Sequence, residues 1–371
     1  MPKKICFTGS GLTGLDPSGV QRYTFEILKA MDRMVKPGEV ELLITDRDTD
    51  YSFHNIKTVN LYDEKFKSSV LARIMYSDKP LLKRLRRKLK KSSVVYNHYF
   101  FRDYVKKNDA VYVDLLQLFP HIGCDVTAIH DCIPEVLAEQ FPKGSMPKLR
   151  KRKVKNAVKR AKRIVSVSNT SVADIRKYYP TEKEIVVIPN AWQHMETIPE
   201  EKTVMERIGL QERGYFYTVG NVFPHKNFKW IECAARDNPE DLFVVTGKVY
   251  DKEGISQDSS AGNVIFTGYI SDGEIKCLMK NCKAFILPSF IEGFGLPPLE
   301  AMSVGADCIL SNCSAFREIY GDSVWYIDPA EYDNISMEEI MSRDKAQNEL
   351  ILNKYSWEMS AESVLNIIRG I

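Results

Sequence analysis

The chain of 371 residues has no apolar run that approaches the roughly 18–20 consecutive residues a membrane span needs. It has eight cysteines but no C-x-x-C pair. Cys6, Cys233, Cys282 and Cys308 stand among apolar neighbours. That spacing speaks against a zinc site and against a disulfide framework, and fits reduced, buried thiols in a cytosolic protein. There is no low-complexity segment and no short-period repeat. No helix-turn-helix, zinc-finger or RNA-binding signature occurs, so basic patches have no nucleic-acid module to serve. The opening MPKKICFTGSG holds two lysines but too short an apolar run for a signal peptide. It reads as a first strand entering a glycine loop.

What is present is the composition of a soluble globular protein, 44% hydrophobic and 27% charged, long enough for two domains. The net charge of +3 hides a split. Residues 1–185 carry 36 Lys and Arg against 21 Asp and Glu, and the remainder 16 against 28. One half is therefore built to meet an anionic surface. Short apolar runs alternate with helical patterns along both halves. KKICFT, EVELLIT, SSVVYN, DAVYVD, CDVTAIHD and RIVSVS read as strands of the first, and EIVVIPNAW closes it with a hinge at Pro189-Asn190. GYFYTVG, DLFVVTG, NVIFTG, AFILPS, ADCILS and VWYIDP are strands of the second. Such alternation predicts parallel sheets with crossover helices. The expected fold class is α/β, with two doubly wound Rossmann-like domains, 1–188 and 189–356, facing across a cleft. The amphipathic helix 357–371 is expected to pack back on the first. Ligands bind such sheets beyond the carboxyl ends of the strands, where every informative loop of this chain falls.

The richest stretch is 284–305, AFILPSFIEGFGLPPLEAMSVG. A buried strand leads into a loop in which Gly293 and Gly295 bracket Phe294, and Pro297-Pro298 open a helix, where a missing N–H costs nothing. Glu292 and Glu300 stand with seven residues between them. Free N–H groups at a glycine loop and helix start can face an anion, and acceptor-only carboxylates each hold a pair of hydroxyls. A diphosphate joined to ribose and a sugar calls for both. In TVGNVFPHKNF, Lys226 follows a strand and loop and is a point charge suited to a diphosphate. TAIHDCIPEV puts His130 and Asp131 at a strand end. A lone histidine there is more often structural than catalytic.

TGSGLTGLDPSGVQRY holds Gly9, Gly11 and Gly14 in G-x-G-x-x-G order after a strand, the pattern of a dinucleotide fingerprint. That fingerprint wants a helix at its last glycine and an acid about twenty residues on. Here LDP intervenes and Asp46 lies some thirty residues past Gly14. An extended glycine loop, with Gly19-Val20 opening the helix QRYTFEILKAM, fits better; Arg22 reaches phosphate or acceptor, or is a surface residue. DRDTD, 46–50, offers hard oxygen ligands for a divalent ion but also reads as a solvated acidic turn.

The Glu292–Glu300 motif resembles the paired-glutamate signature of the retaining glycosyltransferases of family 4, which have the GT-B fold. The resemblance covers most of the chain, most strongly 185–330, and includes SGVQRYTFEIL, VIPNAW and SAFREIYGDSVWYIDP with Glu318. It implies that Lys226 holds the donor diphosphate, Glu300 the ribose, and Glu292 with Gly293, Phe294, Gly295 and Leu296 the sugar. Tyr269 and Ile270 would lie against the nucleobase and Gly19 near the phosphates. A His-Asp-x-x-Pro stretch like that at His130 recurs in mannosyltransferase-like members, with the histidine close to the transferred sugar. Asp131 is then either a base or an orienting group. Many members have an arginine where this chain has Asn221, so the second cation is left open, with His225 or Lys248 as substitutes.

Two basic stretches complete the picture. KPLLKRLRRKLKK, 79–91, carries eight Lys and Arg around a leucine face. PKLRKRKVKNAVKRAKRIV sets Leu149, Val154, Ala157, Val158, Ala161 and Ile164 on one side of a helix, with basics of 148–163 on the other. Clusters of this kind are drawn to anionic lipid. The expectation is a retaining, metal-independent glycosyltransferase without cofactor, peripheral to the inner face of the membrane. It would move a sugar, mannose from GDP-mannose first, to a saccharide or lipid-linked acceptor in cell-surface polysaccharide synthesis such as lipopolysaccharide O-antigen. The rivals are an NAD(P)-dependent oxidoreductase using Gly9–Gly14, and a non-catalytic membrane-surface protein.

Overall fold

The computed structural model describes residues 3–9, 12, 19–44, 51–61, 101–118, 123–138, 145–220, 223–247 and 262–371. Two parallel sheets organise them. The first runs in the order β3-β2-β1-β4-β5-β6-β7. Its strands are β1 (Ile5–Thr8), β2 (Val40–Ile44), β3 (Lys57–Asn60), β4 (Val111–Asp114), β5 (Val126–Ala128), β6 (Arg163–Ser166) and β7 (Ile185–Val187). The second runs β10-β9-β8-β11-β12-β13. It comprises β8 (Tyr215–Val219), β9 (Leu242–Thr246), β10 (Val264–Gly268), β11 (Phe285–Leu287), β12 (Cys308–Ser311) and β13 (Trp325–Ile327). Both orders are those of doubly wound sheets, with switch points between β1 and β4 and between β8 and β11.

Strands β1, β2, β4, β5, β11 and β12 are buried at every residue. Helices cover both faces of a parallel sheet, so its central strands read as unbroken apolar runs. Strand β3, KTVN, is an edge and half exposed; it lacks such a run and the sequence reading passed over it. SSVVYN, the DRDTD turn, Gly11, Gly14, Asn221, Lys248 and the basic stretch 79–91 lie outside the described residues.

The helices that matter to the site are α1 (Gly19–Met31), α2 (Ser145–Arg160), α3 (Asn169–Tyr178), α4 (His194–Thr197), α5 (Phe228–Asp237), α6 (Asp272–Asn281), α7 (Leu296–Ser303), α8 (Ser314–Tyr320) and α9 (Trp357–Arg369). Their starts are chemically marked. Ser168 accepts from the Ser171 N–H at the head of α3. Ser271 caps α6 and forms a capping box with Glu274. Leu149, expected on the apolar side of α2, is 37% exposed, whereas Val154, Ala157 and Val158 are buried. It lies ahead of Val154, the first described residue of that face to be buried.

The chain crosses back at its end. In α9, Trp357, Ala361, Val364, Leu365 and Ile368 share one buried cluster with Tyr23, Ile27, Leu28 and Met31 of α1. Fully buried side chains of this size contribute about 1.5–3 kcal/mol each, so the return helix is a firm tie. Tyr23 donates its hydroxyl to the Ile188 carbonyl at 3.1 Å, and Ser360 donates to the Pro189 carbonyl at 2.9 Å. The segment joining the two sheets is thus gripped by α1 and α9 together.

Candidate functional site

The carboxyl ends of the two sheets meet. Beyond β5 stand His130 and Asp131; beyond β8, the turn Pro224–Lys226; beyond β11, the loop Glu292–Gly295 that opens α7. Gly293 lies against the other half of the molecule. A Cβ there would come within 2.8 Å of the His130 carbonyl oxygen and 3.1 Å of Asp131 Cβ. Ser168 donates to the Gly293 carbonyl at 2.6 Å. Ser171 donates to the His130 carbonyl at 2.9 Å and to that of Gly293 at 3.2 Å. Gly295 takes φ +85°, and a Cβ on it would lie 2.3 Å from Phe316. Both glycines are required, one by close approach and one by a left-handed backbone as well.

Lys226 Nζ donates to Glu292 Oε1 at 2.6 Å. The lysine side chain is 23% exposed and that of the glutamate 8%. Burial alone would raise the Glu292 carboxyl; the Lys226 charge and hydrogen bond, with His225 and Ser289, outweigh it and hold the group below the usual carboxylate range. His225 is itself held below the usual histidine value by burial and by Lys226. Both effects disfavour a charged imidazole beside Lys226.

Glu300, on α7, keeps 13% side-chain exposure and faces two charged or polar partners, His194 and Arg22. His194 Nε2 lies 2.8 Å from Glu300 Oε1, and the Trp357 indole N–H donates to His194 Nδ1 at 3.2 Å. An indole N–H is donor-only, so Nδ1 is the acceptor and Nε2 carries the hydrogen to the carboxylate. Arg22 of α1 approaches the same oxygen at 3.8 Å and pairs with Asp272 at 2.6 Å. Burial would raise the Glu300 carboxyl, but the His194 hydrogen bond and Arg22 keep it below the usual range. His194 escaped the sequence reading. It sits in a short helix with no motif, and its role arises from contacts 106 and 163 residues away.

His130 is 7% exposed, with the edge of Tyr23 at 4.7 Å between ring centroids. Its Nε2 is 2.9 Å from the Leu115 carbonyl. A carbonyl only accepts, so Nε2 bears the hydrogen and Nδ1 is the ring's acceptor. Burial drives its pKa down, which favours the neutral imidazole. Asp131 is partly committed: it accepts from the Ile133 N–H at 3.1 Å, and Arg150 of α2 lies 3.6 Å away. That favours an orienting role over a free base.

The structure therefore brings Lys226, Glu292, Gly293 and His130 to one place, with Phe294, Gly295, Leu296 and Glu300 following in the same loop and helix; Gly19 opens α1, one turn ahead of Arg22. Ile270 is buried and Tyr269 is 57% exposed in the turn ahead of α6. Asn221, Gly11 and Gly14 lie outside the described residues. Among the described residues, no group of three or more His, Cys, Asp or Glu is placed to hold a metal ion. No described helix is long and apolar enough to cross a membrane.

Two doubly wound domains whose strand ends face each other across paired glutamates and a lysine define a GT-B glycosyltransferase. The family models agree: "Glycosyltransferase Family 4" matches residues 17–192 and "Glycosyl transferases group 1" matches 201–357. The chain belongs to glycosyltransferase family 4. It is 24% identical to the O-antigen chain mannosyltransferase B of Escherichia coli, over 94% of this chain and 95% of that protein. It is 29% identical to the O-antigen chain mannosyltransferase RfbU of Salmonella typhimurium, over 47% of this chain and 49% of that one. In three dimensions it is similar to a sucrose-phosphate synthase from Thermosynechococcus elongatus, with a TM-score of 0.73 and 16% identity over 99% and 98% of the two chains. It is also similar to WaaG, a glycosyltransferase involved in lipopolysaccharide biosynthesis, with a TM-score of 0.64 and 17% identity over 99% and 100%.

Proposed function

We propose that this chain is a retaining mannosyltransferase of O-antigen or related cell-surface polysaccharide synthesis, using GDP-mannose and no metal ion. The observation that carries the reading is the Lys226–Glu292 pair at the second switch point, facing His130 of the first half. The named relatives that are mannosyltransferases support the sugar and the pathway class.

In this reading the donor exchanges partners with the protein. Lys226 turns from Glu292 to the diphosphate and offsets the charge that grows on the departing nucleotide. Fixed positive charge in a dry site is worth far more than in water. Glu292, released, takes hydroxyls of the sugar together with the N–H groups of 293–295. Glu300 takes the ribose while His194 keeps it oriented. Neutral His130, its Nε2–H committed to Leu115, offers Nδ1 as an acceptor to a hydroxyl at the reaction centre. Most of the rate then comes from positioning and leaving-group stabilisation. The domains meet at 188–190, and motion there admits and encloses the substrates.

The acceptor is a lipid-linked saccharide, and the basic half brings the protein to it. The outward side of α2 exposes Lys151, Arg152, Lys155, Lys159 and Arg160. Basic residues near an anionic leaflet contribute about 1 kcal/mol each.

The test is transfer of radiolabelled mannose from GDP-mannose to a lipid-linked acceptor extract in EDTA, with the anomeric configuration of the product read by NMR. An α-linked product, formed with EDTA present and lost in Glu292→Ala, is expected. A β-linked product, or strict dependence on a divalent ion, rejects the reading.

A further inference from the structure

We infer that Glu318 is a positioning residue that locks the acceptor-side half of the molecule onto the donor-sugar loop. The inference rests on the glycosyltransferase site described above. It adds a role for a residue that touches none of the groups assigned to substrate.

Glu318 lies on α8, in the second half of the chain, and its carboxylate reaches across to the first turn of α3, in the first half. Oε1 accepts from the Asn169 N–H at 2.7 Å and from its side-chain amide at 3.0 Å. Oε2 accepts from the Thr170 N–H and hydroxyl, each at 2.7 Å. The first N–H groups of a helix have no partner within it, and a carboxylate there also meets the positive end of the dipole. All four bonds are made to an ionised acceptor and are of the stronger kind.

The same turn of α3 is tied to the reaction centre. Ser168 and Ser171 are buried. Their hydroxyls hold the Gly293 carbonyl, and that of Ser171 also holds His130. On its other side α8 holds the same loop. The Tyr320 hydroxyl donates to the Gly295 carbonyl, and the Phe316 ring fills the place a Cβ on Gly295 would need. Helix α8, the loop Glu292–Gly295 and the head of α3 therefore form a closed triangle, and Glu318 is its outermost side. Without it, α3, with His130, stays joined to the loop through the Ser168 and Ser171 hydroxyls but loses its tie to α8 and can shift about that contact. A misplacement of about 1 Å between reacting groups costs roughly 100-fold in rate.

The test uses the full-length protein with Glu318→Ala and Glu318→Gln. The glutamine keeps size but turns an amide, a donor, toward the Thr170 N–H. Initial rates with GDP-mannose and a lipid-linked acceptor extract give kcat and KM, and small-angle scattering gives the radius of gyration without nucleotide. The expected result for both variants is a kcat lower by about 10- to 100-fold, a donor KM within about threefold of wild type, and a larger radius of gyration. Wild-type kcat, unchanged scattering, or an effect confined to KM each overturns the inference. Glu292→Ala separates this from the site assignment: it is expected to abolish transfer with wild-type scattering. An active Glu292→Ala would reject the donor site whatever Glu318 does.

Discussion

Replacing Lys226 by alanine strips the countercharge from a carboxylate that is 8% exposed. Removing one partner of a buried pair costs about 3–5 kcal/mol, because the remaining charge is left without compensation. Lys226 keeps 23% exposure, so water partly replaces it and the low end, about 3 kcal/mol, is expected. A domain of this size loses roughly 2–4 °C per kcal/mol, which makes the drop roughly 6–12 °C if the second domain melts as its own unit. Glu292, freed of the lysine, rises in pKa and recovers part of the loss by taking a proton. Lys226→Ala combined with Glu292→Gln should therefore regain most of the melting temperature at neutral pH. It should not regain transfer, since the cation that meets the leaving diphosphate is still absent. Calorimetry of the two single variants and the double variant, beside their rates, tests both halves. A Lys226→Ala variant that transfers at the wild-type rate, or that melts like wild type, would refute the assignment.

Three further outcomes follow from the geometry. His194→Ala removes a hydrogen bond to a charged group, worth about 1.5–3 kcal/mol; donor KM should rise about tenfold or more with kcat within about threefold, and steady-state kinetics with unchanged KM would contradict it. Gly293→Ala drives a Cβ against backbone at the His130 carbonyl, 2.8 Å away, so transfer should fall about 100-fold while circular dichroism stays native; near-normal transfer would show that the loop is not bound to His130 in the working enzyme. His130 and His225 are both held below the ordinary histidine value, by burial foremost. The unfolded chain therefore takes up their protons first as pH falls below about 6.5, and stability declines there by up to about 1.4 kcal/mol per pH unit for each. Glu292 and Glu300, held below the usual range, keep their contribution above about pH 4.3 and lose it as pH falls further. Melting curves for His130→Gln should show a shallower slope between pH 6.5 and 5 than wild type; an equal slope would place the buried proton uptake elsewhere.

The parts of this molecule that were readable without coordinates are those where local chemistry and burial coincide. Central strands such as Phe285–Leu287 are covered on both faces, so they are apolar throughout. The loop Glu292–Gly295 announces itself because both its acid and its glycines are fixed by close contacts. Helix α3 was not recognised: of its residues only Ser171 and Ile175 are buried, too little for a helical stripe. Its importance lies in the hydroxyls and N–H groups of its first turn, which acquire meaning only when Glu318 and Gly293 arrive from more than a hundred residues away. His194 was hidden for the same reason. Glu300 was visible as a paired acid, but the indole and imidazole that orient it come from the connecting segment and the returning C-terminal helix, which no local pattern links.

The central claim is that the second domain binds a nucleoside diphosphate sugar through Lys226 without a metal. Melting curves with GDP, UDP, dTDP, ADP and NAD, each with EDTA and each repeated on Lys226→Ala, test it most directly. A ligand at 100 times its dissociation constant adds about 2.7 kcal/mol to the folded state, well within reach of the method. The account predicts stabilisation by GDP that survives EDTA and is lost in the variant. Stabilisation by NAD alone, or an undiminished GDP shift in Lys226→Ala, would contradict it.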